Sequence, residues 1–260
     1  MIDVPEQSGP GEPRQSPTVS PAYARHSFEG RAARYDARRF ESPRDRFWHE
    51  HDLRVLDAML PVGGSGLPPA RLLEVASGTG RLAIPLCTPH RTIVGLDRGD
   101  AMLRQAVAKG LVLGSRASWV RGSAEQLPFA RATFDGAYAV RFLNLFSEDE
   151  VRPLCAELER VVRPGGVIVA HFSNALYGLG VSLIRRRTGG YRKELLWPGR
   201  IGRLFPACRV EHSIGTHLPF QSHLLPLLGP IWSRRVSTIT TRSALRYLTH
   251  TRFFRLVRGA

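Results

Sequence analysis

Short apolar segments alternate with helical segments along the middle of this 260-residue chain, and this alternation limits the folds that it can adopt. Five segments have the length and apolar content of buried strands, namely residues 71–76, 91–97, 116–121, 133–140 and 166–172. Three segments with helical spacing lie between them, at residues 80–88, 100–109 and 147–162. Strands that alternate with helices form a mostly parallel sheet with helices on both faces. We therefore predict an α/β fold, with a further helix over residues 43–60 ahead of the sheet.

The segment RLLEVASGTGRLAI, residues 71–84, places very small side chains between the first predicted strand and the helix that follows it. Residues 76–80 carry almost no side-chain bulk, so a ligand can lie against the main chain there. The composition favours a nucleotide-like cofactor. An ordinary tight turn from strand to helix would have the same composition and stays open as an alternative.

Two cofactors are compatible with this loop. The letters GTGRLA satisfy the dinucleotide pattern Gly-x-Gly-x-x-Gly/Ala, and Asp97 follows at about the expected distance, as in an NAD(P)-dependent oxidoreductase. Glu74 ahead of Gly78 and Gly80 resembles instead motif I of class I S-adenosylmethionine-dependent methyltransferases, which has the form (Asp/Glu)-x-x-x-Gly-x-Gly. A carboxylate at the end of the second strand suits either cofactor, because it can accept hydrogen bonds from both ribose hydroxyls.

The order of the later segments resembles the methyltransferase family. RTIVGLDRGDAMLRQ (91–105) is followed by WVRGSAEQLPF (119–129), FDGAYAV (134–140) and ELERVVRPGGVIVAHF (157–172). The series is similar to the bacterial small-molecule branch of the family, of the type 11 kind. This resemblance implies a Rossmann-like, seven-stranded, mostly parallel sheet in the order 3-2-1-4-5-7-6, with helices on both faces and a helical cap. Residues 208–218 and 253–259 can supply strands six and seven.

The resemblance also implies which residues bind S-adenosyl-L-methionine: Glu74, Ala76, Ser77, Gly78, Gly80, Asp97, Arg98, Met102, Ser123, Ala124, Glu125 and Val140. Three of them depart from the family pattern. Ala76 replaces a common glycine, and Ser123 stands where relatives usually carry an aspartate that accepts a bond from the adenine amino group. Arg98 stands where an aliphatic residue is usual, and its guanidinium either stacks on the adenine or points to solvent.

The resemblance further suggests a lid. HSFEGRAARYDARRF, residues 26–40, is similar to a segment that folds over the bound cofactor in many relatives, and Tyr35 is the residue that we expect nearest the methyl donor. A surface turn that packs on the core is the alternative.

Three residues at the carboxyl side of the predicted sheet, His171, Arg141 and Asn144, are candidates for binding or deprotonating the methyl acceptor. His171 ends the fifth strand, and its imidazole could remove a hydroxyl proton because it titrates near neutrality, or it could form a pocket wall. His26 and His217 are further candidates for such a base. Arg141 and Asn144 follow the fourth strand and could orient an anionic or carbonyl-bearing acceptor, with helix capping or packing as the alternative.

The chain divides into four predicted regions. Residues 1–22 form a Pro-, Gly- and Ser-rich tail that we expect to be disordered, and residues 23–62 form the N-terminal helical lid. Residues 63–173 form the cofactor-binding core, and residues 174–260 form a substrate cap together with the last two strands. Neither a signal peptide nor a membrane-spanning run is recognised, and Cys87, Cys155 and Cys208 are dispersed. We therefore expect a cytoplasmic protein without a metal.

The formal net charge is +15, and residues 171–260 hold fifteen basic and two acidic residues. Such a basic region attracts acidic small molecules, membrane surfaces or nucleic acid. A basic adaptor that binds RNA or a membrane without catalysis is therefore the alternative to an enzyme. Enzymes that methylate base amino groups usually carry Asn/Asp-Pro-Pro-aromatic after strand four, whereas this chain reads VRFLNLF at residues 140–146. We expect methyl transfer to a small organic molecule, with oxygen favoured over nitrogen and carbon. The acceptor's identity and the oligomeric state are not indicated.

Overall fold

The computed structural model describes residues 32, 34–36, 42–64, 66–174, 195–196, 199–216 and 249–260. The predicted tail, most of the predicted lid ahead of residue 42 and most of the segments expected to roof the substrate pocket lie outside the described residues. His26 and His217 lie outside them as well.

Five parallel strands form the centre of the sheet: β1 (Ala70–Val75), β2 (Arg91–Asp97), β3 (Ser118–Arg121), β4 (Phe134–Ala139) and β5 (Val162–Asn174). β1 pairs with β2 on one side and with β4 on the other. β3 pairs with β2, and β5 pairs with β4. Because all of these pairs are parallel, the carboxyl ends of the five strands lie at one edge of the sheet.

Three further strands complete the described sheet: β6 (Leu195–Leu196), β7 (Cys208–Thr216) and β8 (Thr251–Arg258). β8 lies antiparallel to β5, and β7 lies antiparallel to β8. The resulting order is β3-β2-β1-β4-β5-β8-β7, which confirms the predicted order 3-2-1-4-5-7-6 once β6 is set aside. β6 pairs in parallel with the end of β5. The sequence does not predict it, because two residues show no periodicity.

The described α-helices include α1 (Pro43–Met59), α2 (Ala83–Leu86), α3 (Asp100–Val112), α4 (Glu148–Val161) and α5 (Ile201–Leu204), and a short 3-10 helix spans Leu143–Leu145. α4 begins at Ser147, which forms a capping box with Glu150. α2 is much shorter than the predicted 80–88, because the chain stays in turns as far as Leu82 and becomes extended again at Cys87. Across the described ranges, no helix combines the length and the apolar content that a membrane crossing would need.

Apolar side chains pack on both faces of the sheet. The face that we call the α4 face includes Val75, Leu96, Ala139, Phe172, Leu154 and Leu158. The opposite face, the α1 face, includes Leu72, Ile93, Tyr138, Val169, Phe253, Val55, Leu56 and Met59. The His171 ring lies with its centroid 4.6 Å from that of Phe253, so His171 belongs to the α1 face.

Arg91 joins the end of α1 to β2. Its side chain is 3% exposed, and its Nε and Nη2 donate to the carbonyls of Pro61, Asp57 and Leu60 at 2.8–3.0 Å. Its Nη1 pairs with the Asp57 carboxylate at 2.5 Å. A buried guanidinium needs partners for its donors, and these contacts supply them. They fasten the C-terminal end of α1 to the sheet.

Candidate active site

The loop after β1 turns sharply at the carboxyl edge of the sheet. Ala76, Gly78 and Gly80 have φ angles of 59°, 55° and 73°, in the left-handed region that glycine adopts freely and other residues rarely adopt. The Ser77 N–H donates to the Leu96 carbonyl at 3.0 Å, which fastens the loop to β2. The predicted low bulk of this loop therefore serves a tight backbone path beside the end of β2.

Trp119 of β3 packs against this loop and against β2. A Cβ atom at Gly80 would lie 2.4 Å from the Trp119 ring, and one at Gly95 would lie 2.5 Å from it. Atoms this close cannot be accommodated without displacement, so both positions require glycine. The sequence gives no sign of this role for Trp119, because its strand is short and its contacts are not local.

Asp97 ends β2 and lies directly beside the loop. Its Oδ2 accepts a hydrogen bond from the Gly78 N–H at 2.8 Å, and its Oδ1 accepts one from the Gly99 N–H at 2.8 Å. Burial raises the pKa of Asp97, and the bonds from the Gly99, Gly78 and Arg98 N–H groups oppose that shift. A carboxylate has lone pairs for more than two donors, so Asp97 retains capacity for ribose hydroxyls.

Glu74 lies inside the sheet beneath the loop. It is 3% exposed, and the Tyr138 hydroxyl donates to its Oε2 at 3.2 Å. Burial raises the pKa of Glu74 to about 8, while the bond from Tyr138 and the charge of Arg81 act in the opposite direction. A nearby positive charge favours the ionised form of such a carboxyl group, so a cationic ligand group would be stabilised here.

The loop after β3 is held next to Asp97. The Gly122 N–H donates to the Asp97 carbonyl at 3.1 Å. The Ser123 hydroxyl oxygen accepts a bond from the Glu125 N–H at 3.3 Å, and Ala124 is buried. The structure therefore brings the predicted adenine-side residues to the end of β2, with the Ser123 oxygen already accepting one hydrogen bond.

Three more predicted cofactor residues border this region. Met102 of α3 is buried, and its Cε lies 3.4 Å from the position that a Cβ of Gly78 would take. Arg98 is exposed directly after β2, and Val140 is half-buried directly after β4. Their roles in cofactor binding stay predictions.

Arg141 and His171, two of the predicted acceptor-side residues, are in direct contact. The Arg141 N–H donates to His171 Nδ1 at 3.2 Å, and the Arg141 guanidinium pairs with Asp52 of α1 at 2.7 Å. Nδ1 of His171 is thus not available to take a proton while this bond holds. The predicted role of His171 as a base and that of Arg141 in orienting the acceptor stay predictions.

Asn144, the third of them, is buried beside the end of β5. Its Nδ2 donates to the Ser173 hydroxyl at 3.4 Å. Within the described ranges, Asn144 Oδ1 has no hydrogen-bond partner. Ser173 follows His171 by two residues, so the two side chains lie on the same face of the strand.

Three titratable side chains between α1 and the loop after β1, Asp52, His49 and Arg81, are not among the residues predicted from the sequence. Asp52 has no exposed surface, and His49 contacts Arg81 through its Nδ1. Burial lowers the pKa of His49 to about 4, and the charge of Arg81 adds to that shift. Burial likewise lowers the pKa of Arg81 to about 10, with a further contribution from Arg141. These contacts join residues 32 to 89 positions apart, so no local pattern encodes them.

Asp36 brings the segment ahead of α1 to the loop. Its Oδ1 accepts a bond from the Thr79 hydroxyl at 2.7 Å, and its Oδ2 pairs with Lys109 of α3. Tyr35 is half-buried next to it and interacts electrostatically with Arg81. Residues 35 and 36 therefore lie at the predicted cofactor loop, as a lid would require, and closure over the cofactor stays a prediction.

Comparison with known proteins identifies the domain. A family model described as a methyltransferase domain matches residues 72–166. Over 163 residues the chain is 32% identical to the ubiquinone/menaquinone biosynthesis C-methyltransferase UbiE of Syntrophotalea carbinolica, covering 61% of this chain and 65% of that protein. Residues 72–166 form a methyltransferase domain.

The methyltransferase domain has the fold of known members. It superposes on the crystal structure of magnesium protoporphyrin IX methyltransferase (ChlM) from Synechocystis PCC 6803 with bound SAH, with a TM-score of 0.64. The superposition covers 89% of this chain and 96% of that one at 15% identity. At that identity the likeness shows the fold alone.

Relatives of the methyltransferase domain are named for different acceptor atoms. Besides the C-methyltransferase, the O-methyltransferase rstn1 of Aspergillus nomiae is 33% identical over 98 residues, which is 36% of this chain and 43% of that protein. The chain thus spans between 43% and 65% of the length of these two curated relatives. The two names differ in the acceptor atom, which is carbon in one and oxygen in the other. The oxidoreductase and adaptor interpretations gain no support from them.

The residues of the methyltransferase domain fit S-adenosylmethionine, the cofactor of this family. The Ser77 hydroxyl is buried and has no hydrogen-bond partner in the described part of the chain, so the loop retains a polar atom for a ligand. Glu74 and Asp97 place two acidic groups on either side of the loop, which suits an ammonium group and a ribose. No cluster of His, Cys, Asp or Glu within the described ranges could hold a metal ion.

Proposed function

We propose that this chain transfers a methyl group from S-adenosylmethionine to a small organic acceptor, with oxygen as the acceptor atom. The observation that carries the proposal is the 2.8 Å hydrogen bond from the Gly78 N–H to Asp97 inside the matched domain. This bond joins the Asp97 carboxylate to a loop without side-chain bulk, which supports binding of a ribose by Asp97. A nucleoside that carries an amino-acid group needs both features in contact.

In this proposal the two acidic residues bind opposite parts of the cofactor. Asp97 accepts hydrogen bonds from the ribose hydroxyls, and Glu74 receives the ammonium of the methionine part. Ser77 and the main chain at Gly78 and Gly80 lie along the methionine part. Burial of Glu74 supports its role, because the buried carboxyl has its pKa raised to about 8 and a cation would relieve that cost.

The remaining cofactor residues bind the adenine. Met102 and Arg98 border one side of the ring, and Ser123, Ala124 and Glu125 lie along its edge. Val140 and Ala76 close the site from β4 and β1. The bond from the Gly122 N–H to the Asp97 carbonyl supports this arrangement, because it fixes the distance between ribose and adenine contacts.

The acceptor binds beyond the end of β4 in this proposal. S-adenosylmethionine supplies a methyl group that is already activated by its bond to a sulfonium. The protein's remaining task is alignment of the acceptor and exclusion of water. Arg141, Asn144 and His171 line the acceptor side, and Tyr35 covers it from the segment ahead of α1. A wall with imidazole and amide groups suits an oxygen-bearing acceptor, and the net charge of +15 suits an anionic one.

Cofactor binding tests the site separately from the reaction. Calorimetry with S-adenosylmethionine and S-adenosylhomocysteine is expected to detect both ligands in the parent protein. Gly80→Arg and Asp97→Ala are expected to weaken both by at least about tenfold, because the arginine side chain fills the space beside the loop and the alanine removes the carboxylate. Arg131→Ala, an exposed change outside the site, is the control. Unchanged affinity in both site variants would refute the placement of the cofactor.

Mass spectrometry tests the reaction itself. A metabolite extract incubated with the protein and methyl-labelled S-adenosylmethionine is expected to yield a labelled small molecule with the label on oxygen. Methyl transfer to RNA, together with RNA affinity that falls steeply with salt, would overturn the small-molecule assignment.

A further inference from the structure

The turn after β4 holds Arg141 in a conformation that arginine rarely adopts. Its φ is 57°, which is strained for a residue with a Cβ atom. The Arg141 guanidinium pairs with Asp52 at 2.7 Å, and its N–H donates to His171 Nδ1 at 3.2 Å, and these contacts help to hold the turn. Asp52 has no exposed surface, so loss of the Arg141 guanidinium would take a positive charge away from a buried carboxylate.

This backbone bond determines which nitrogen of His171 carries the proton. A backbone N–H can only donate, so Nδ1 must offer its lone pair. A neutral imidazole with an accepting Nδ1 carries its proton on Nε2. The ring is 2% exposed and packs edge-to-face against Phe253 with centroids 4.6 Å apart. The His171 ring therefore cannot turn over and exchange the positions of Nδ1 and Nε2 unless the side chains around it repack.

The position of His171 points to the acceptor. Ala170, its neighbour in β5, pairs with Ala139 at the end of β4, and β4 lies next to β1 and the cofactor loop. His171 therefore lies at the carboxyl edge, on the strand next to the one that Arg141 follows. In open sheets of this kind, ligands bind outside the carboxyl ends of the strands.

We infer that His171 donates a hydrogen bond from Nε2–H to the acceptor's oxygen and does not remove a proton from it. This inference rests on the proposed function and assigns to His171 the opposite role from a general base. Arg141 and Asp52 act through the ring and are positioning residues. Their contacts keep the Nε2–H tautomer in place before the acceptor binds.

A donor at this position selects a class of acceptor. An N–H group binds an ionised oxygen more strongly than a neutral hydroxyl. Acceptors that ionise readily by themselves, such as acidic phenols and the enols of 1,3-dicarbonyl compounds, are therefore favoured. The oxygen lone pair forms the new carbon–oxygen bond, and the electron pair of the methyl–sulfur bond stays on sulfur. No proton has to leave the acceptor in that step.

Nuclear magnetic resonance of protein labelled with ¹⁵N-histidine tests the tautomer directly. The His171 signals, identified by their loss in His171→Gln, are expected to show an unprotonated Nδ1 and a protonated Nε2 in the free protein at pH 7.5. Asp52→Asn is expected to introduce the second tautomer, because it removes the charge that holds Arg141. A protonated Nδ1 in the parent protein would overturn the inference, whether or not methyl transfer is found.

The same spectra test contact with an acceptor, using 4-nitrophenolate as the probe in the presence of S-adenosylhomocysteine. The Nε2–H proton is expected to move to lower field as the probe is added, and 4-methylphenol at equal concentration is expected to move it much less. An Nε2–H signal that does not respond to 4-nitrophenolate would contradict the donor role.

Two variants separate a donor from a base in the transfer reaction with the same phenols. His171→Gln retains an N–H group near the Nε2 position, and His171→Phe retains the packing on Phe253 alone. We expect the Gln variant to keep kcat/KM within about tenfold of the parent and the Phe variant to lose about 10²–10³-fold. Equal losses in both would indicate a base and overturn the inference. Failure of the proposed function would show differently, as parent protein that does not bind S-adenosylhomocysteine.

Discussion

The Thr79 hydroxyl donates a 2.7 Å hydrogen bond to the Asp36 carboxylate across 43 positions of chain. This bond joins the segment ahead of α1 to the cofactor loop. Asp36 also pairs with Lys109 of α3, so one carboxylate connects three parts of the site. The side chains of Asp36 and Lys109 are 38% and 33% exposed, and the ion pair therefore contributes only modestly.

Asp36→Asn is expected to loosen the segment that carries Tyr35. Loss of the ion pair costs about 1 kcal/mol or less at such exposure, so trypsin cleavage after Arg34 is expected to accelerate by up to about fivefold. Timed proteolysis followed by mass spectrometry measures this. Glu50→Gln, which removes an equal charge from an exposed pair with Arg54, is the control. If the difference in cleavage rate between Asp36→Asn and the parent is the same in about 1 M salt, the ionic explanation is contradicted.

Gly80→Ala is expected to destabilise the protein through two separable effects. The positive φ costs an alanine roughly 1 kcal/mol, and contact with Trp119 adds about 1–3 kcal/mol. Gly114→Ala is the matched control, because Gly114 has a φ of 62° and a Cβ added there would have no atom within 4 Å. Urea unfolding measures both variants. Trp119→Leu in combination with Gly80→Ala is expected to recover part of the lost free energy of unfolding. Equal losses in Gly80→Ala and Gly114→Ala would refute a contact between the new Cβ atom and the Trp119 ring.

Glu74→Gln is expected to change the pH dependence of stability. The pKa of Glu74 is about 8 in the folded protein and near 4.5 when unfolded, so the folded state binds the extra proton between these values. Its contribution to stability is therefore complete below pH 4.5 and is lost as pH rises through 8, at roughly 1.4 kcal/mol per pH unit at most. The free energy of unfolding at pH 5 and pH 8, by urea titration, is expected to differ less in Glu74→Gln than in the parent. Glu50→Gln should show the same difference in the free energy of unfolding between pH 5 and pH 8 as the parent. If Glu74→Gln also shows the parent's difference, the Glu74 carboxyl is ionised in the folded parent protein and the prediction is wrong.

His51→Phe is expected to make the protein less sensitive to acid. Burial lowers the pKa of His51 to about 4, and its ring stacks on Phe47 at 6.5 Å. Stability from its neutral form is present above pH 6.5 and is lost as pH falls through 4, by up to about 3 kcal/mol. Unfolding at pH 7 and pH 4.5 measures the difference, which should shrink in His51→Phe. His90→Phe, at an exposed turn, is the control, and equal acid sensitivity of the His51 variant and the parent would contradict the prediction.

The fold was predictable where its signals are local. β1, β2 and β4 are short and mostly apolar, and parallel pairing follows from the helices between them. The order of the outer strands came from the family resemblance, since pairing of β8 with β5 joins residues such as Val257 and Val167 that are distant in sequence. β6 and α5 were not predictable, because elements of two and four residues leave no periodic pattern.

The cofactor side and the acceptor side of the candidate site also differ in whether their contacts are local in sequence. The cofactor half rests on a loop of consecutive residues and on Asp97, and such a pattern can be read from sequence. The acceptor half depends on Asp52, whose ion pair with Arg141 spans 89 positions. Asp52 lies in a helix without a recognisable motif, so only the structure shows that His171 is held from α1.

Arg91 gives α1 a fixed end. Its bonds to the carbonyls of Asp57, Leu60 and Pro61 close the last turn of the helix onto β2, whereas the start of the helix at Ser42 adjoins the segment that carries Asp36. The C-terminal end of α1 is therefore expected to stay fixed to the sheet when a ligand binds at the loop after β1. In hydrogen exchange, the amides of the last turn of α1 would then exchange as slowly as those of β2.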